Sequence, residues 1–169
     1  MGGVVHRPLV LSSLGRCEDP EGWHRAPLAA GRWRKVAEAA RANVRAPICA
    51  GSDAEKPTET WRPALADLEL VKAYASDRGE GLAMVRARPP ARACDLVEDP
   101  SPFAVRLVHV SPAGEISLVG IGMAVVDAGD YDGDGRSEVI VKEQRHDRDG
   151  YVLFTDGFRG RVAFGWTYH

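Results

Sequence analysis

Carboxylates lie at short, regular spacing in the last third of the 169-residue chain. Asp130, Asp132 and Asp134 occupy alternate positions, and Glu138 follows four residues after the last of them. Calcium is a hard cation that takes roughly six to eight oxygen ligands at about 2.3–2.6 Å. Alternating aspartates on a tightly curled loop can direct three carboxylates to one point. The spacing therefore predicts a site for a hard cation, with calcium as the first candidate.

Gly135 gives this loop its turn, because glycine tolerates backbone conformations that a side chain would obstruct. Past the turn, the main-chain carbonyl of Arg136 can face the ion and Glu138 can close the shell. An EF-hand is excluded, since the twelfth position counted from Asp130 is Val141 and that motif needs a bidentate glutamate there. The alternative is a solvated Asp-Gly turn between two strands, in which the carboxylates would repel one another without a counter-ion.

Negative charge is concentrated around this loop. The chain has 22 basic and 24 acidic residues, a net charge of −2, whereas residues 127–149 hold eight acids and four bases. That balance disfavours a general nucleic-acid binder. The apolar fraction of 44% and the charged fraction of 27% are typical of a globular chain and exclude a disordered or collagenous one. No stretch approaches the roughly 20 apolar residues that span a membrane.

Strands must position the loop. One helix is predicted over residues 32–45, where Trp33, Val36 and Val44 recur at helical spacing, and residues 50–63 are predicted to form a polar loop or linker. From residue 65 onward, short apolar runs separated by Gly and Asp turns predict antiparallel strands. Strands are predicted at 4–14, 68–75, 81–88, 103–110, 115–119, 123–128, 138–143, 150–155 and 162–167. The predicted fold class is mainly β, with antiparallel strands and one N-terminal α-helix.

The change from a helix and linker to strands near residue 64 predicts two units. Residues 1–63 form an N-terminal segment with one helix and a linker, and residues 64–169 form a β domain. The acidic loop belongs to a unit that spans about residues 103–169 of that domain.

Residues 121–155, IGMAVVDAGDYDGDGRSEVIVKEQRHDRDGYVLFT, resemble one FG-GAP (or VCBS-type) repeat, the unit of the integrin-α-like β-propeller. The family pattern G-D-x-[DN]-x-D-G-x-x-[DE] is matched by residues 129–138, and the strand beginning with glycine by residues 150–153. The Gly-Ala-Pro triplet of the family is replaced by Lys-Glu-Gln at 142–144, and Ile-Gly stands for Phe-Gly at 121–122. One clear copy is present, where the family usually carries several.

The resemblance implies a partial β-propeller of one or two blades. It also implies one structural calcium ion, with Asp130, Asp132, Asp134, the carbonyl of Arg136 and Glu138 as ligands. Units of this family serve in ligand recognition and adhesion and sometimes flank enzymes. The function favoured is therefore a calcium-binding structural or ligand-recognition module rather than an enzyme. Its partner would be a protein, a glycan or a second copy of the chain.

Two other functions remain open. One is a metal-dependent hydrolase, or an accessory domain of one, in which His146 or Asp147 supplies acid–base help. The other is a β domain that binds no metal. Residues 146–150 more simply predict a hairpin turn than a second cation site at Asp147 and Asp149, and His109 is expected to be a strand residue. The chain contains no nucleophile elbow, P-loop or dinucleotide-binding glycine motif.

The C-terminal aromatic residues Phe164, Trp166 and Tyr168 share one face of a predicted strand. Such a row fits either core packing or an exposed aromatic binding strip. Arginine outnumbers lysine 18 to 4, which together with the many alanines suggests a GC-rich bacterial genome.

The cysteines Cys17, Cys49 and Cys94 follow no metal-binding spacing, and their odd number leaves one thiol unpaired even if Cys17 and Cys49 form a disulfide. Residues 1–14 lack the continuous apolar stretch and cleavage site of a signal peptide. Extracellular calcium modules bind at about 10⁻⁴–10⁻³ M, so the loop favours an exported protein, periplasmic or extracellular. The missing signal peptide and the calcium loop thus point in opposite directions, and the sequence leaves the compartment open.

Overall fold

The computed structural model describes residues 18–29, 31–42, 44–49, 57–94 and 100–167. These ranges contain the strands and the helix that follow. They are β1 (His24–Arg25), α1 (Trp33–Arg41), β2 (Ala46–Cys49), β3 (Pro57–Trp61), β4 (Leu68–Ala75), β5 (Gly81–Ala87), β6 (Arg106–Val110), β7 (Ile116–Ile121), β8 (Met123–Gly129), β9 (Glu138–Gln144), β10 (Arg148–Thr155) and β11 (Gly160–Thr167). The prediction of a mainly β, antiparallel chain with one N-terminal helix is confirmed.

The strands form two antiparallel sheets and a small ribbon. The five-stranded sheet has the order β1-β4-β5-β6-β7, the four-stranded sheet the order β11-β10-β9-β8, and β2 pairs with β3. The four-stranded sheet is a simple meander, because each strand pairs with its neighbour in sequence. A propeller blade has the same strand number, and the propeller relationship itself stays a prediction.

Strand β5 is buried on both faces because it lies between two layers. Its Ala83 and Val85 belong to a core shared with α1, whereas Leu82 and Met84 belong to a second core shared with the four-stranded sheet. Successive side chains of a strand point to opposite faces, so a two-sided central strand requires a nearly continuous apolar run. Full burial of a side chain such as Leu82 contributes roughly 1.5–3 kcal/mol. The fold is therefore layered: helix, five-stranded sheet, four-stranded sheet.

Helix α1 is shorter than its predicted range of 32–45, since it ends at Arg41. The chain must be extended by Ala46, which pairs with Trp61 in the ribbon, and a residue before a proline such as Pro47 disfavours helical geometry. Val44 is still buried in the helix-side core. Its apolar character reflects that core and not a longer helix.

The prediction of a loop throughout 50–63 is wrong at residues 57–61, which form β3. The sequence PTETW has no buried apolar alternation, and its extended form depends on pairing with β2. The indole of Trp61 then lies 6.1 Å from the ring of Phe103. Both contacts are distant in sequence, so local composition did not indicate them.

A disulfide joins Cys49, at the end of β2, to Cys94. The sequence left open whether Cys49 pairs with Cys17, and the structure pairs Cys49 with Cys94 instead. Cys17 lies outside the described residues, as does the strand predicted at 4–14. Next to the disulfide, Ile48 and Ala93 form an isolated antiparallel bridge. The segment that contains Ala93 and Cys94 is thus connected to the ribbon by both a disulfide and a β-bridge.

The chain crosses from one sheet to the other at Gly122, between β7 and β8. Its φ of +71° lies in the left-handed region, and a Cβ at this position would meet the carbonyl oxygen of Gln144 at 2.4 Å. The amide of Gly122 donates to the carbonyl of Val105 at 2.7 Å, and its own carbonyl accepts from Gln144 N at 2.8 Å. Glycine is required here both for its conformation and for its lack of a side chain.

Candidate metal centre

The acidic loop connects two neighbouring strands of the four-stranded sheet. Strand β8 ends at Gly129, which pairs with Glu138 at the start of β9, and residues 130–137 form the connection. The loop therefore lies at one end of a β-hairpin, and its two ends are fixed by the sheet. The predicted placement of the motif between two strands is confirmed.

Three of the predicted ligands come together in this loop. Asp130, Asp132 and Glu138 each offer a carboxylate oxygen, and the three oxygens all lie within 4.8 Å of one another. Oxygens bound to a single calcium ion at about 2.3–2.6 Å are separated by no more than about 5 Å. Asp132 is exposed, Asp130 is half-buried and Glu138 is only 2% exposed. The group can hold one cation at the surface of the hairpin, with Glu138 at its buried end.

Backbone amides orient these carboxylates. Asp130 Oδ1 accepts from Gly133 N at 2.7 Å, and its Oδ2 accepts from Gly135 N at 3.0 Å. Glu138 Oε2 accepts from Tyr131 N at 2.7 Å. Each carboxylate oxygen has more than one lone pair, so these bonds fix the side chains while leaving acceptor capacity for an ion.

Asp134 and Arg136 lie in the same loop but outside this group of three. Asp134 is exposed, and its Oδ1 accepts from Arg136 N at 2.8 Å. The guanidinium of Arg136 forms ion pairs with acids outside the loop, with Nη1 at 3.3 Å from Asp156 Oδ1 and Nε at 3.8 Å from Glu21 Oε1. The predicted ligand at Arg136 is its main-chain carbonyl. The side chain of Arg136 instead forms ion pairs with Asp156 and Glu21.

Among the three grouped carboxylates, the charge of Glu138 most needs compensation, because this side chain is buried beside other acids. Burial raises the pKa of its carboxyl, the hydrogen bond from Tyr131 N lowers it, and the negative charges of Asp132, Asp134 and Asp130 raise it further. A buried carboxylate is costly unless a proton or a cation compensates it. A bound divalent cation would provide that compensation for all the acids at once.

The segment before β1 packs against the loop, a contact that the sequence analysis does not predict. Asp130 N donates to the carbonyl of Glu18 at 2.7 Å. The hydroxyl of Ser137 donates to Asp19 Oδ1 and accepts from Glu21 N at 3.1 Å. Because these partners lie more than 100 residues apart, no local pattern could reveal them. Glu18, Asp19 and Ser137 therefore support the candidate ligands.

The residues proposed for a second cation or for acid–base help lie elsewhere. His146, Asp147 and Asp149 occupy the turn and strand start between β9 and β10, at the opposite end of β9 from Glu138. Asp149 Oδ2 lies 3.7 Å from Lys142 Nζ, and His146 Nε2 lies 3.5 Å from Asp147 Oδ1. The turn favoured for this segment is confirmed.

His109 is a strand residue, as expected, and is 6% exposed in β6. Its Nε2 lies 3.9 Å from Glu80 Oε1 and has no hydrogen-bond partner among the residues that the structure describes. Its ring is 4.3 Å from that of Phe158. Burial lowers the pKa of His109 from 6.5 to about 4, so the imidazole is neutral at pH 7.

The aromatic residues of β11 do not belong to either core. Phe164 is 71% exposed, and its ring lies 6.1 Å from that of Trp166. Core packing is therefore wrong for Phe164, and Tyr168 lies outside the described residues. The exposed-strip alternative agrees with the position of Phe164 on an edge strand.

No family model matches this chain, and neither a curated protein nor a solved structure does. Among the helices of the described ranges, none is long and apolar enough to cross a membrane.

Proposed function

We propose that the chain is a calcium-binding module and that its ion stabilises the hairpin between β8 and β9. The observation that carries the proposal is the convergence of Asp130, Asp132 and Glu138, with one oxygen of each within 4.8 Å of the others. Asp134 and the carbonyl of Arg136 are proposed as further ligands from the same loop. The resemblance of residues 121–155 to an FG-GAP repeat supports the same ligand set.

The donor set favours calcium over other metals. Its proposed ligands are all oxygens, from carboxylates and one main-chain carbonyl, whereas zinc sites are built mainly from cysteine and histidine. Magnesium demands near-ideal octahedral geometry and keeps several waters. A loop at the surface with three converging carboxylates suits the larger and more flexible calcium shell.

A structural role is favoured over a catalytic one. Asp130 and Glu138 are both held by backbone amides of their own loop. A cleft of about 290 Å³ lies nearby between the sheets, and it is lined by Asp19 and Asp127 but by none of the three grouped ligands. His146, the residue considered for acid–base help, is separated from Glu138 by the length of β9, about 20 Å at the rise of a strand. A hydrolase mechanism that combines a metal bound at Glu138 with acid–base help from His146 therefore has little support.

An oxidising, calcium-rich compartment fits this proposal. Disulfides persist mainly in exported proteins, and the structure joins Cys49 to Cys94. Calcium at about 10⁻³ M outside cells fills weak sites that cytosolic calcium leaves empty. We therefore include export in the proposal, with a protein or glycan as the ligand that the module recognises.

Isothermal titration with calcium tests the assignment directly. The wild-type chain is expected to bind with saturable heat, and Asp132→Asn, at an exposed position, is expected to weaken the affinity by about tenfold because it removes one ligand charge. Asp147→Asn is the matched control, since Asp147 is an exposed acid at the other end of β9. Equal affinities for wild type and Asp132→Asn, or no saturable binding by the wild type, would reject the proposed site.

A further inference from the structure

Three arginines border a cavity on the far side of the five-stranded sheet from the acidic loop. The cavity has a volume of about 470 Å³ and is lined by Arg41, Arg45 and Arg62 together with the buried residues Val44 and Pro63. Small-molecule sites have volumes of about 300–1,000 Å³. The cavity is therefore large enough for a small ligand.

The fold brings these arginines together from three elements. Arg41 is the last residue of α1, and Arg45 precedes β2. Arg62 follows β3, and the pairing of Ala46 with Trp61 places Arg45 and Arg62 beside each other at the same end of the ribbon. Arg41 Nη1 donates to the carbonyl of Pro63 at 3.5 Å, which joins the helix to this end of the ribbon.

The described residues that line this cavity carry more positive than negative charge. Within the ranges that the structure describes, none of Arg41, Arg45 and Arg62 forms an ion pair with a carboxylate. Glu38 lines the cavity, but its Oε1 lies 3.2 Å from Arg34 Nε. Other arginines of this chain have acidic partners, for example Arg78, 3.2 Å from Glu21.

The helix terminus explains only part of this arrangement. A basic residue in the last turn interacts favourably with the helix dipole, which accounts for Arg41. It does not account for Arg45 and Arg62, which lie on neighbouring strand ends, where like charges oppose each other. An anion between them would convert this repulsion into attraction.

We infer that this cavity binds the phosphate group of a small phosphate ester. A guanidinium presents several N–H donors in a rigid fork that matches the oxygens of a phosphate. Three such forks suit a tetrahedral oxyanion with two negative charges, and the volume leaves room for an organic group against Val44 and Pro63. Free inorganic phosphate has the same recognition chemistry. The site is independent of the calcium proposal, because it shares no residue with the acidic loop.

Thermal unfolding in EDTA tests this inference without calcium. The melting temperature is compared in chloride, inorganic phosphate and glycerol phosphate at equal ionic strength. Wild type is expected to be stabilised by both phosphates above the chloride baseline, in a saturable manner. A larger effect of glycerol phosphate identifies an ester as the ligand, and a larger effect of inorganic phosphate identifies the free ion.

The variant R45Q/R62Q removes two charges at exposed positions. Its apparent dissociation constant for phosphate is expected to rise by at least about tenfold, since hydrogen bonds to charged groups are the stronger ones, and each single variant should give an intermediate rise. Arg159→Gln, an exposed arginine on the turn before β11, is the matched control and should retain the wild-type response. Equal stabilisation of wild type and R45Q/R62Q, or no stabilisation beyond chloride, would overturn the inference. The variants' unchanged melting in chloride verifies that they fold.

Discussion

The carboxylate of Glu138 connects the chemistry of the loop to the stability of the sheet. It is 2% exposed and is the first residue of β9. The amide of Tyr131 donates to its Oε2 at 2.7 Å. Since a buried charge is stable only when it is paired or neutralised, we expect the hairpin to be held more firmly when a cation is present. The other two grouped carboxylates are more exposed and depend less on compensation.

His109 gives a prediction about pH. Its folded-state pKa of about 4 lies below the unfolded value of 6.5, so the unfolded chain binds more protons between these values and stability rises with pH there. The contribution is fully present above pH 6.5 and is lost as the pH falls toward 4. Between pH 7 and pH 5, we expect His109 to cost about 2 kcal/mol of unfolding free energy. Urea denaturation in EDTA at the two pH values measures this loss.

The control for that prediction is His109→Gln, which keeps a polar side chain but does not titrate. Glu80 faces His109 at 3.9 Å, and burial raises its pKa. Its contribution therefore has the opposite sign, being present at low pH and lost as the pH rises. Comparison of wild type with His109→Gln cancels the effect of Glu80. An equal loss of stability in both proteins would contradict the assignment to His109.

Two glycines give a matched test of backbone geometry. Gly122 and Gly114 have φ values of +71° and +83°, but only at Gly122 would a Cβ meet backbone, at 2.4 Å from the oxygen of Gln144. We expect Gly114→Ala to cost about 1 kcal/mol through conformational strain alone. Gly122→Ala should cost more than about 2 kcal/mol, because the strands must also move apart. Equal losses in chemical denaturation would show that the close approach does not matter.

At the scale of elements, the disulfide fastens the ribbon of β2 and β3. Cys49 and Cys94 are 45 residues apart, and closing a loop of this length stabilises a protein by about 2–4 kcal/mol in the chain-entropy account. The double variant Cys49→Ser/Cys94→Ser should lose an amount in this range, measured by urea denaturation. Reductant should lower the stability of the wild type to that of the variant and leave the variant unchanged. A loss below about 0.5 kcal/mol would show that the ribbon is held by other contacts.

The sequence predicts a strand or helix correctly where neighbouring residues alone determine it. Strand β4 occupies 68–75 as predicted, because apolar alternation and flanking turn residues are both present. Strand β3 was missed because its extended form comes from pairing with β2 and from contact with Phe103. Helix α1 was predicted too long because Val44 is buried by the tertiary fold and not by helical periodicity.

The same distinction holds for the candidate site. Asp130, Asp132 and Glu138 could be recognised together because one short loop contains all of them. Glu18 and Asp19 could not, since they reach the loop only through the tertiary fold. The arginine cavity also depends on tertiary structure, because Arg41 and Arg62 are brought together by the packing of α1 beside the ribbon.

At the scale of the whole molecule, the two proposed sites lie on different layers. The acidic loop belongs to the four-stranded sheet, and the arginine cavity lies beside the helix on the other face of the five-stranded sheet. An apolar core lies on each face of the five-stranded sheet, one shared with the helix and the other with the four-stranded sheet. We therefore expect the chain to remain folded without calcium, held by these cores and by the disulfide, and to gain stability when the ion binds.

Thermal unfolding of the wild-type chain in EDTA, and then with increasing calcium or magnesium, tests the central claim most directly. Calcium at tenfold over its dissociation constant should raise the melting temperature by about 3–6 °C, as mass action requires for a chain of this size. Magnesium should have a much smaller effect at equal concentration. Superimposable unfolding curves in EDTA and in millimolar calcium would contradict the calcium site and leave the aspartates as a solvated turn.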